Sequence, residues 1–414
     1  MCADDVTAGR LGAEAVEGLL AGVAAADEAY RRDWPGRPAG RQPVQVLYVP
    51  ADRVTATTAV EAGRTAADLL ARFAPSTARF AEVMGLGSSG AAGEVRERVA
   101  AKLDHEPVED LRIDFEDGYL DRDDAEEDAD ATRTGRALGE AHRDGTAPPF
   151  AGLRVKPFAD GRARRSVATL DRFLSAMLDV TGSLPEGFVI TFPKIVSPAH
   201  VGAFVDVLAA LEDAHGLASG SLAFEAQIET TASVLGPDGR VALRDIRDAA
   251  AGRLRAVHFG VFDYTAALGL PVDGQRLDHP ACDMARHLMQ ITFAGTEVRL
   301  SDGSTNVLPA AEADADLHRV WRRHSRHVAH SLAHGFTQGW DLHASHLVSR
   351  YAAVYAHLLH GLDGVLDRLA AWRASEQRGG VADEPATVTV LERRVRQAVE
   401  CGAIDAAVVD ARLG

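Results

Sequence analysis

The sequence predicts an α/β chain folded as a (β/α)8 TIM barrel, preceded by an N-terminal helix and followed by a helical extension. Three observations carry this. From residue 40 onward, short runs rich in Val, Ile and Phe alternate with longer segments rich in Ala, Leu, Arg and Glu. Eight such runs can be marked out. Polar residues gather at the C-terminal ends of most of them. Strands that alternate with helices form a parallel sheet covered on both faces. Eight units close into a barrel whose chemistry sits at the C-terminal strand ends. An open doubly wound sheet is the lesser option.

In chain order the strand candidates are VQVLYVPA (44–51), DLRIDFED (110–117), AGLRVKPF (151–158) and GFVITFPKI (187–195). SLAFEAQIET (221–230), LRAVHFGVFD (254–263), GTEVRLSDG (295–303) and QGWDLHAS (338–345) complete the set. Helical patterns lie between them, such as HVGAFVDVLAALEDAH (200–215) and HLVSRYAAVYAHLLHGL (346–362). Residues 1–40 read as a helix over 12–30 and a linker, WPGRPAGRQP; 41–362 are the barrel; 363–414 hold one or two further helices, parted by the EQRGGVADEP loop.

The bulk numbers exclude several classes. Of 414 residues, 46% are apolar and 25% charged, an ordinary globular profile. A net charge of −16 argues against a nucleic-acid surface, which needs clustered Lys and Arg, and against anionic membranes. Cys2, Cys282 and Cys401 stand singly, which suits a reducing compartment and excludes a disulfide scaffold or a cysteine zinc site. The start, MCADDVTAGR, does not read as a signal peptide. No apolar run approaches the roughly 18 residues of a membrane span. A cytoplasmic protein is expected.

Three motifs carry less than they promise. GLGSSG (85–90) matches GxGxxG, but it follows FAEVM, which reads as a helix end, whereas a dinucleotide site needs a strand there. His324, His327, His330 and His334 have helical spacing, and His330 with His334 could ligate a metal at i, i+4. No Glu lies between them as in HExxH, and WRRHSR beside them is strongly basic, so a solvated His-rich face is preferred. The run IDFEDGYLDRDDAEEDAD (113–130) holds ten acids in eighteen positions. It lacks the central Gly and closing Glu of a calcium loop. DFEDG is a strand end and turn, and DRDDAEEDAD the acidic start of the next helix, where negative charge favours the positive end of the dipole.

The strand ends concentrate the chemistry. The second ends in Asp114, Glu116 and Asp117; the third carries Arg154 and Lys156, two apart and so on one face. The fourth ends in Lys194, the fifth in Gln227 and Glu229, the sixth in Asp263 and the eighth in His343. Glu229 and Asp263 come from neighbouring strands, and two carboxylates facing one cavity repel unless a proton or cation lies between them. Oxygen ligands of this kind suit Mg2+ or Mn2+, and Arg154 supplies a planar fork for a carboxylate or enolate oxygen.

The ordered set LYVPADR (47–53), IDFEDG (113–118), LRVK (153–156), FPKI (192–195), IET (228–230) and FGVFD (259–263) resembles the HpcH/HpaI aldolase and citrate lyase β-subunit superfamily. The look is nearest to its citrate-lyase-β/malyl-CoA-lyase branch, and GFTQGWDLHASHL (335–347) continues it more loosely. The resemblance implies an oligomeric, Mg2+-bearing TIM barrel that makes or breaks a C–C bond beside a carbonyl through a metal-stabilised enolate. It implies Glu229 and Asp263 as metal ligands and Arg154 on the substrate's oxygens. Asp114, Glu116 and Asp117 would form an acidic wall, with Lys194 as a cation near substrate. Lys156 and Asp117 are further candidates for substrate contact, and His343 or a metal-bound water for the proton acceptor. Three positions depart from the family pattern: Lys156 replaces an Asn, Phe262 a Glu and Ala344 a Pro. They lie where substrate would sit. The expected activity is a Mg2+-dependent C–C lyase or aldolase acting on a small 2-oxo or β-hydroxy acid, or on its coenzyme A thioester. A malate-synthase-like condensation of an acyl-CoA with glyoxylate and a non-catalytic metabolite-binding barrel remain as alternatives.

Overall fold

The computed structural model of the chain describes residues 11–36, 40–87, 91–376 and 384–414. Among these, eight parallel strands close into a barrel in sequence order. They are β1 (Gln45–Pro50), β2 (Asp110–Asp114), β3 (Phe150–Arg154), β4 (Phe188–Phe192), β5 (Phe224–Ile228), β6 (Leu254–Phe259), β7 (Arg299–Ser304) and β8 (Gln338–Asp341). Helices α1 (Ala13–Leu20) and α2 (Val23–Asp33) precede the barrel. Along it follow α3 (Thr58–Phe73), α4 (Thr77–Met84), α5 (Ala92–His105), α6 (Asp124–Arg143), α7 (Ala163–Thr181), α8 (Pro198–His215) and α9 (Thr231–Val234). The ring continues through α10 (Leu243–Ala249), α11 (Val261–Ala267), α12 (Pro280–Phe293), α13 (Asp314–Ala333) and α14 (Ala344–Leu359). Then come α15 (Leu362–Glu376), α16 (Pro385–Glu400) and α17 (Ala406–Leu413). No described helix is long and apolar enough to cross a membrane.

Several elements differ from the sequence expectation. The helix over 12–30 is two helices, broken at Ala21 and Gly22. β7 begins four residues later than GTEVRLSDG suggests, and β8 stops at Asp341. The C-terminal region holds three described helices, with residues 377–383 of the EQRGGVADEP loop outside the described residues. Most expected strands overran because the chain stays extended past its last ladder bond before each loop turns. The GLGSSG segment follows α4, whose C-cap Gly85 is left-handed (φ 72°), so no strand enters it; residues 88–90 lie outside the described residues. The acidic run does open α6: Asp123 caps it by accepting from the Glu126 amide at 2.8 Å.

The strands are buried on both faces, yet their alternation still sorts side chains. In β5, Phe224, Ala226 and Ile228 alternate with Glu225, Gln227 and the following Glu229. Deep in the barrel the polar set forms a paired layer, where branched apolar residues are usual. Arg112 contacts Asp110 (2.8 Å) and Glu225 (3.2 Å). His258 Nε2 lies 3.0 Å from Glu225, and Trp340 Nε1 donates to His258 Nδ1 at 2.9 Å. Buried charge of this kind persists only when partnered.

The histidines of α13 overturn the expectation of a solvated face. His324 and His327 are buried, because their side of the helix packs inward while Arg322, Arg323 and Arg326 take the outer side. Burial pushes His346 of α14 down to about 3 and His327 down to about 4. A histidine held neutral in the fold but free to charge when unfolded leaves stability intact above pH 6.5 and removes it as pH falls toward the folded value. Each such ring is expected to cost about 1.4 kcal/mol per pH unit in that window. Urea melts at pH 7.5, 6 and 5 test this: the slope should flatten in His346→Gln, and an unchanged slope would sink the assignment.

Outside the barrel, α16 packs through Val388, Val395 and Ala398, and Tyr355 of α14 donates its hydroxyl to Cys401 O at 2.6 Å. At the other end, α1 and α2 have no buried residue. They are tethered beyond α2, where Gly36 N donates to Gly295 O (2.8 Å) and Arg244 lies over the Trp34 ring.

Candidate active site

The turn after β2 is wrapped around one carboxylate. Asp114 Oδ1 accepts from the Glu116 amide and Oδ2 from the Gly118 amide, both at 2.9 Å. The same two oxygens take a bidentate pair from Arg154 on β3, Nε and Nη2 each donating at 2.7 Å. This geometry is pinned, since both charges are buried. The guanidinium lies over the Tyr48 ring of β1, 5.1 Å from its centroid. Its Nη1 reaches Glu116 Oε2 at 3.0 Å and Gln227 Oε1 at 3.5 Å. Gln227 Nε2 is buried and has no partner among the described residues, so a donor is left at the barrel axis beside Arg154.

Lys194 forms the next tier. Its ammonium pairs with Glu116, with Asp117 at 2.6 Å and, more distantly, with Asp263 at 3.6 Å. Its backbone is left-handed (φ 46°), a region that L side chains visit rarely. The Lys194 amide donates to Glu229 Oε1 at 2.7 Å, which holds that conformation in place. Glu229 follows β5 and is 2% exposed; Asp263, in the first turn of α11, is an open rim residue. Gly260 allows their approach: a Cβ there would lie 2.3 Å from Glu229 Cβ and Oε2.

The electrostatics follow from this crowding. Burial, then the neighbouring Glu116 and Asp263 carboxylates, push the Glu229 carboxyl up to about 8. Burial also raises Asp263 and Glu116. Asp117 goes down, because Arg154, Glu116 and Lys194 outweigh its own partial burial. Lys194 is raised by Glu116 and Asp117 against the effect of burial. A net negative mouth is therefore held together by two cations, and a proton sits on Glu229 near neutrality. The donors Glu229 and Asp263 fit a hard divalent cation, which would take the place of that proton. Among the described residues, no three mouth carboxylates bring ligand atoms within 4.8 Å of one another, so two carboxylates with water or substrate oxygens describe the available shell.

Asp114, Glu116, Asp117, Arg154, Lys194, Glu229 and Asp263 are thus brought together. Two expected members are not. Lys156 lies past the end of β3, where the alternation that aligns residues two apart no longer holds. Its ammonium donates to Phe115 O and pairs with Glu127 of α6, both at 2.9 Å, so it is a buried tie between strand and helix. His343 caps α14: its Nδ1 accepts from the Ser345 amide at 3.1 Å, and it has no contact with the Arg154–Lys194 network among the described residues. Burial lowers its affinity for a proton, and with Nδ1 accepting, the neutral ring carries its hydrogen on Nε2. It offers a donor rather than a base. Tyr48 and the free amide of Gln227 are site features that sequence reasoning missed for function; VLYVP carries the inward Tyr in alternation, but nothing marks it as lying under an arginine.

Solved structures share this architecture. A citrate lyase from Burkholderia xenovorans LB400 aligns with a TM-score of 0.58 and 17% identity, over 90% of this chain and 97% of that one. Haloferax volcanii malate synthase aligns with a TM-score of 0.50 and 18% identity, over 91% and 99%. Its magnesium/glyoxylate complex gives 0.52 and 15%, over 91% and 99%. At such identities the likeness is one of fold. No curated protein matches the chain. One family model, described as a domain of unknown function (DUF6986), matches residues 23–414.

Proposed function

The chain belongs to the DUF6986 family, a domain of unknown function, and we propose that it is a divalent-metal-dependent carbon–carbon lyase or aldolase. Its substrate would be a small 2-oxo or β-hydroxy acid, free or as a thioester. The observation that carries this reading is the convergence of Glu229, Asp263, Glu116 and Asp117 with Arg154 and Lys194 at one barrel mouth. Paired carboxylates and fixed cations at strand ends suit chemistry that develops an oxyanion next to a carboxylate. The barrel shared with a citrate lyase and a malate synthase supports it at the level of fold.

Glu229 and Asp263 would hold Mg2+ or Mn2+, which when bound polarises the substrate carbonyl and offsets the charge of an enolate. Arg154, locked by Asp114 and backed by Tyr48, presents its remaining donors to substrate oxygen with little reorganisation. Lys194 neutralises Glu116 and Asp117 and would meet a substrate carboxylate at the rim. Glu116 and Asp117 would order water for proton transfer. His343 would donate through Nε2–H to a product or leaving oxygen.

A panel of 2-oxo and β-hydroxy acids, with and without their coenzyme A esters, incubated with Mg2+ or Mn2+ and read by mass spectrometry, tests this. Cleavage is expected to require metal and to fall at least about a hundredfold in Glu229→Gln and Asp263→Asn, since each tenfold is about 1.4 kcal/mol of lost transition-state stabilisation. Wild-type turnover by Glu229→Gln would refute the assignment. Acetyl-CoA and glyoxylate joined to malate would instead place the chain with the condensing enzymes, a reading kept open by the barrel it shares with the malate synthase.

A further inference from the structure

On the outer flank of the barrel, far along the chain from the mouth residues, α12 and α13 bring together a second set of ligand-type side chains. Asp283 and His287 are four apart on α12; His330 and His334 are four apart at the end of α13. Residues so spaced share a helix face. Ligand atoms of Asp283, His330 and His334 all lie within 4.8 Å of one another. His330 Nε2 is 2.8 Å from Asp283 Oδ1 and His334 Nε2 is 3.7 Å from it. The two imidazoles are 4.4 Å apart, and His287 stacks on the other side of His334 at 5.5 Å. All three lead residues are half-buried, open enough for an ion to enter.

The hydrogen bonds at this cluster do not close without a cation. His330 can donate one Nε2–H to Asp283. His334 cannot: its Nδ1 lies 3.0 Å from His330 O, a bond only an N–H can make, so in the neutral ring the Nε2 lone pair is the atom turned toward the carboxylate. A lone pair facing a carboxylate oxygen is repulsive unless a proton or a metal lies between. The backbone hydrogen bond is also the outer contact that fixes a ligating histidine's tautomer. Gln290 holds the site further by donating to His334 O. Arg286 also donates to Asp283 Oδ1, at 2.7 Å, but its charge is matched by buried Asp302 at 2.9 Å, so Asp283 keeps its negative charge for another cation.

We propose that this flank is a binding site for a zinc-class divalent ion, with Asp283, His330 and His334 as ligands and water or His287 in the fourth position. Two imidazoles and one carboxylate suit Zn2+, Co2+ or Ni2+ over Mg2+, whereas the mouth offers only oxygen. The ion would staple α12 to α13. The other close grouping, His324, Asp341 and His346, is already closed: Arg350 pairs with Asp341 at 2.8 Å, His346 Nε2 meets Val307 O at 3.0 Å and His324 Nδ1 meets Ser349 at 2.8 Å. It offers no free ligand.

The test uses the untagged full chain, stripped with chelator and reloaded with Zn2+ or Co2+. One equivalent by elemental analysis and a tetrahedral-type Co2+ visible spectrum are expected. Both should survive in Glu229→Gln/Asp263→Asn and disappear in His334→Ala. Zn2+ affinity should fall at least about a hundredfold in His330→Ala, and the thermal midpoint should rise with Zn2+ only where the flank is intact. Circular dichroism of the metal-free variants checks the fold; if His334→Ala does not fold, Asp283→Asn takes its place. No bound equivalent, binding unchanged by the flank variants, or binding lost only with the mouth variants would each overturn the site.

Discussion

Replacing Arg154 by methionine is expected to remove at least about three orders of magnitude of turnover, and to destabilise the fold by roughly 3–5 kcal/mol, the usual cost of deleting one partner of a buried ion pair. The stability loss arises because Asp114 and Glu116 stay behind, desolvated and with no guanidinium, at the end of β2. The activity loss arises because no other side chain in the described mouth presents a planar fork to a substrate oxygen. Arg154→Lys should separate the two effects. A lysine restores charge but cannot bridge both Asp114 oxygens, so stability should recover in part while turnover stays low. The double variant Asp114→Asn/Arg154→Met removes both buried charges and should be more stable than Arg154→Met alone, yet equally inactive. Urea denaturation and kcat/KM for whichever acid the screen finds decide the matter. A single variant within 1 kcal/mol of wild type would mean that the buried pair is not the support described.

How much of this arrangement could be read from the chain differs by feature, and the reasons are physical. Strands such as GFVITF are legible because both faces are buried, so their apolar bias is strong and bounded by turns. Asp114, Arg154, Lys194, Glu229 and Asp263 are legible because a barrel collects strand ends at one mouth, so no long-range contact had to be guessed. Lys156 fails for the complementary reason. The rule that residues two apart share a face applies within a strand, and β3 ends at Arg154. The inward polar layer was hidden for another reason. In LRIDF or FEAQI the alternation marks Arg112 and Glu225 as facing opposite to Leu and Phe, but not whether that face is wet or paired across the axis. His324 and His327 were masked by adjacent arginines, which put a strongly charged average over a helix whose inner side is dry. For the flank cluster, each i, i+4 pair is visible alone; that Asp283 meets His330, 47 positions later, is a property of how α12 and α13 pack.

A single methyl group at Gly152 is expected to be as damaging as the loss of Arg154, by at least about 4 kcal/mol, a size that single substitutions reach only through a severe steric or buried-charge fault. Gly152 sits in β3, paired on one side with Arg112 of β2 and on the other with Val189 of β4. The Arg112 side chain crosses over it to donate from Nη1 to Val189 O at 2.9 Å. A Cβ on residue 152 would lie 1.7 Å from that carbonyl oxygen and 2.7 Å from the same Nη1. Two responses are open. β3 and β4 separate and lose ladder bonds, or Arg112 leaves and strands Asp110 and Glu225 without their cation. Gly202→Ala in α8, where a Cβ meets nothing within 4 Å, is the matched control and should stabilise by up to about 1 kcal/mol through helix propensity. The second response is separable by a double-mutant cycle. If Gly152→Ala acts by evicting Arg112, then Arg112→Met and Gly152→Ala together should cost clearly less than their sum, because the guanidinium can be lost only once. Additive losses would place the damage in the β3–β4 ladder instead. A Gly152→Ala protein as stable as wild type would contradict the placement of Arg112 across β3.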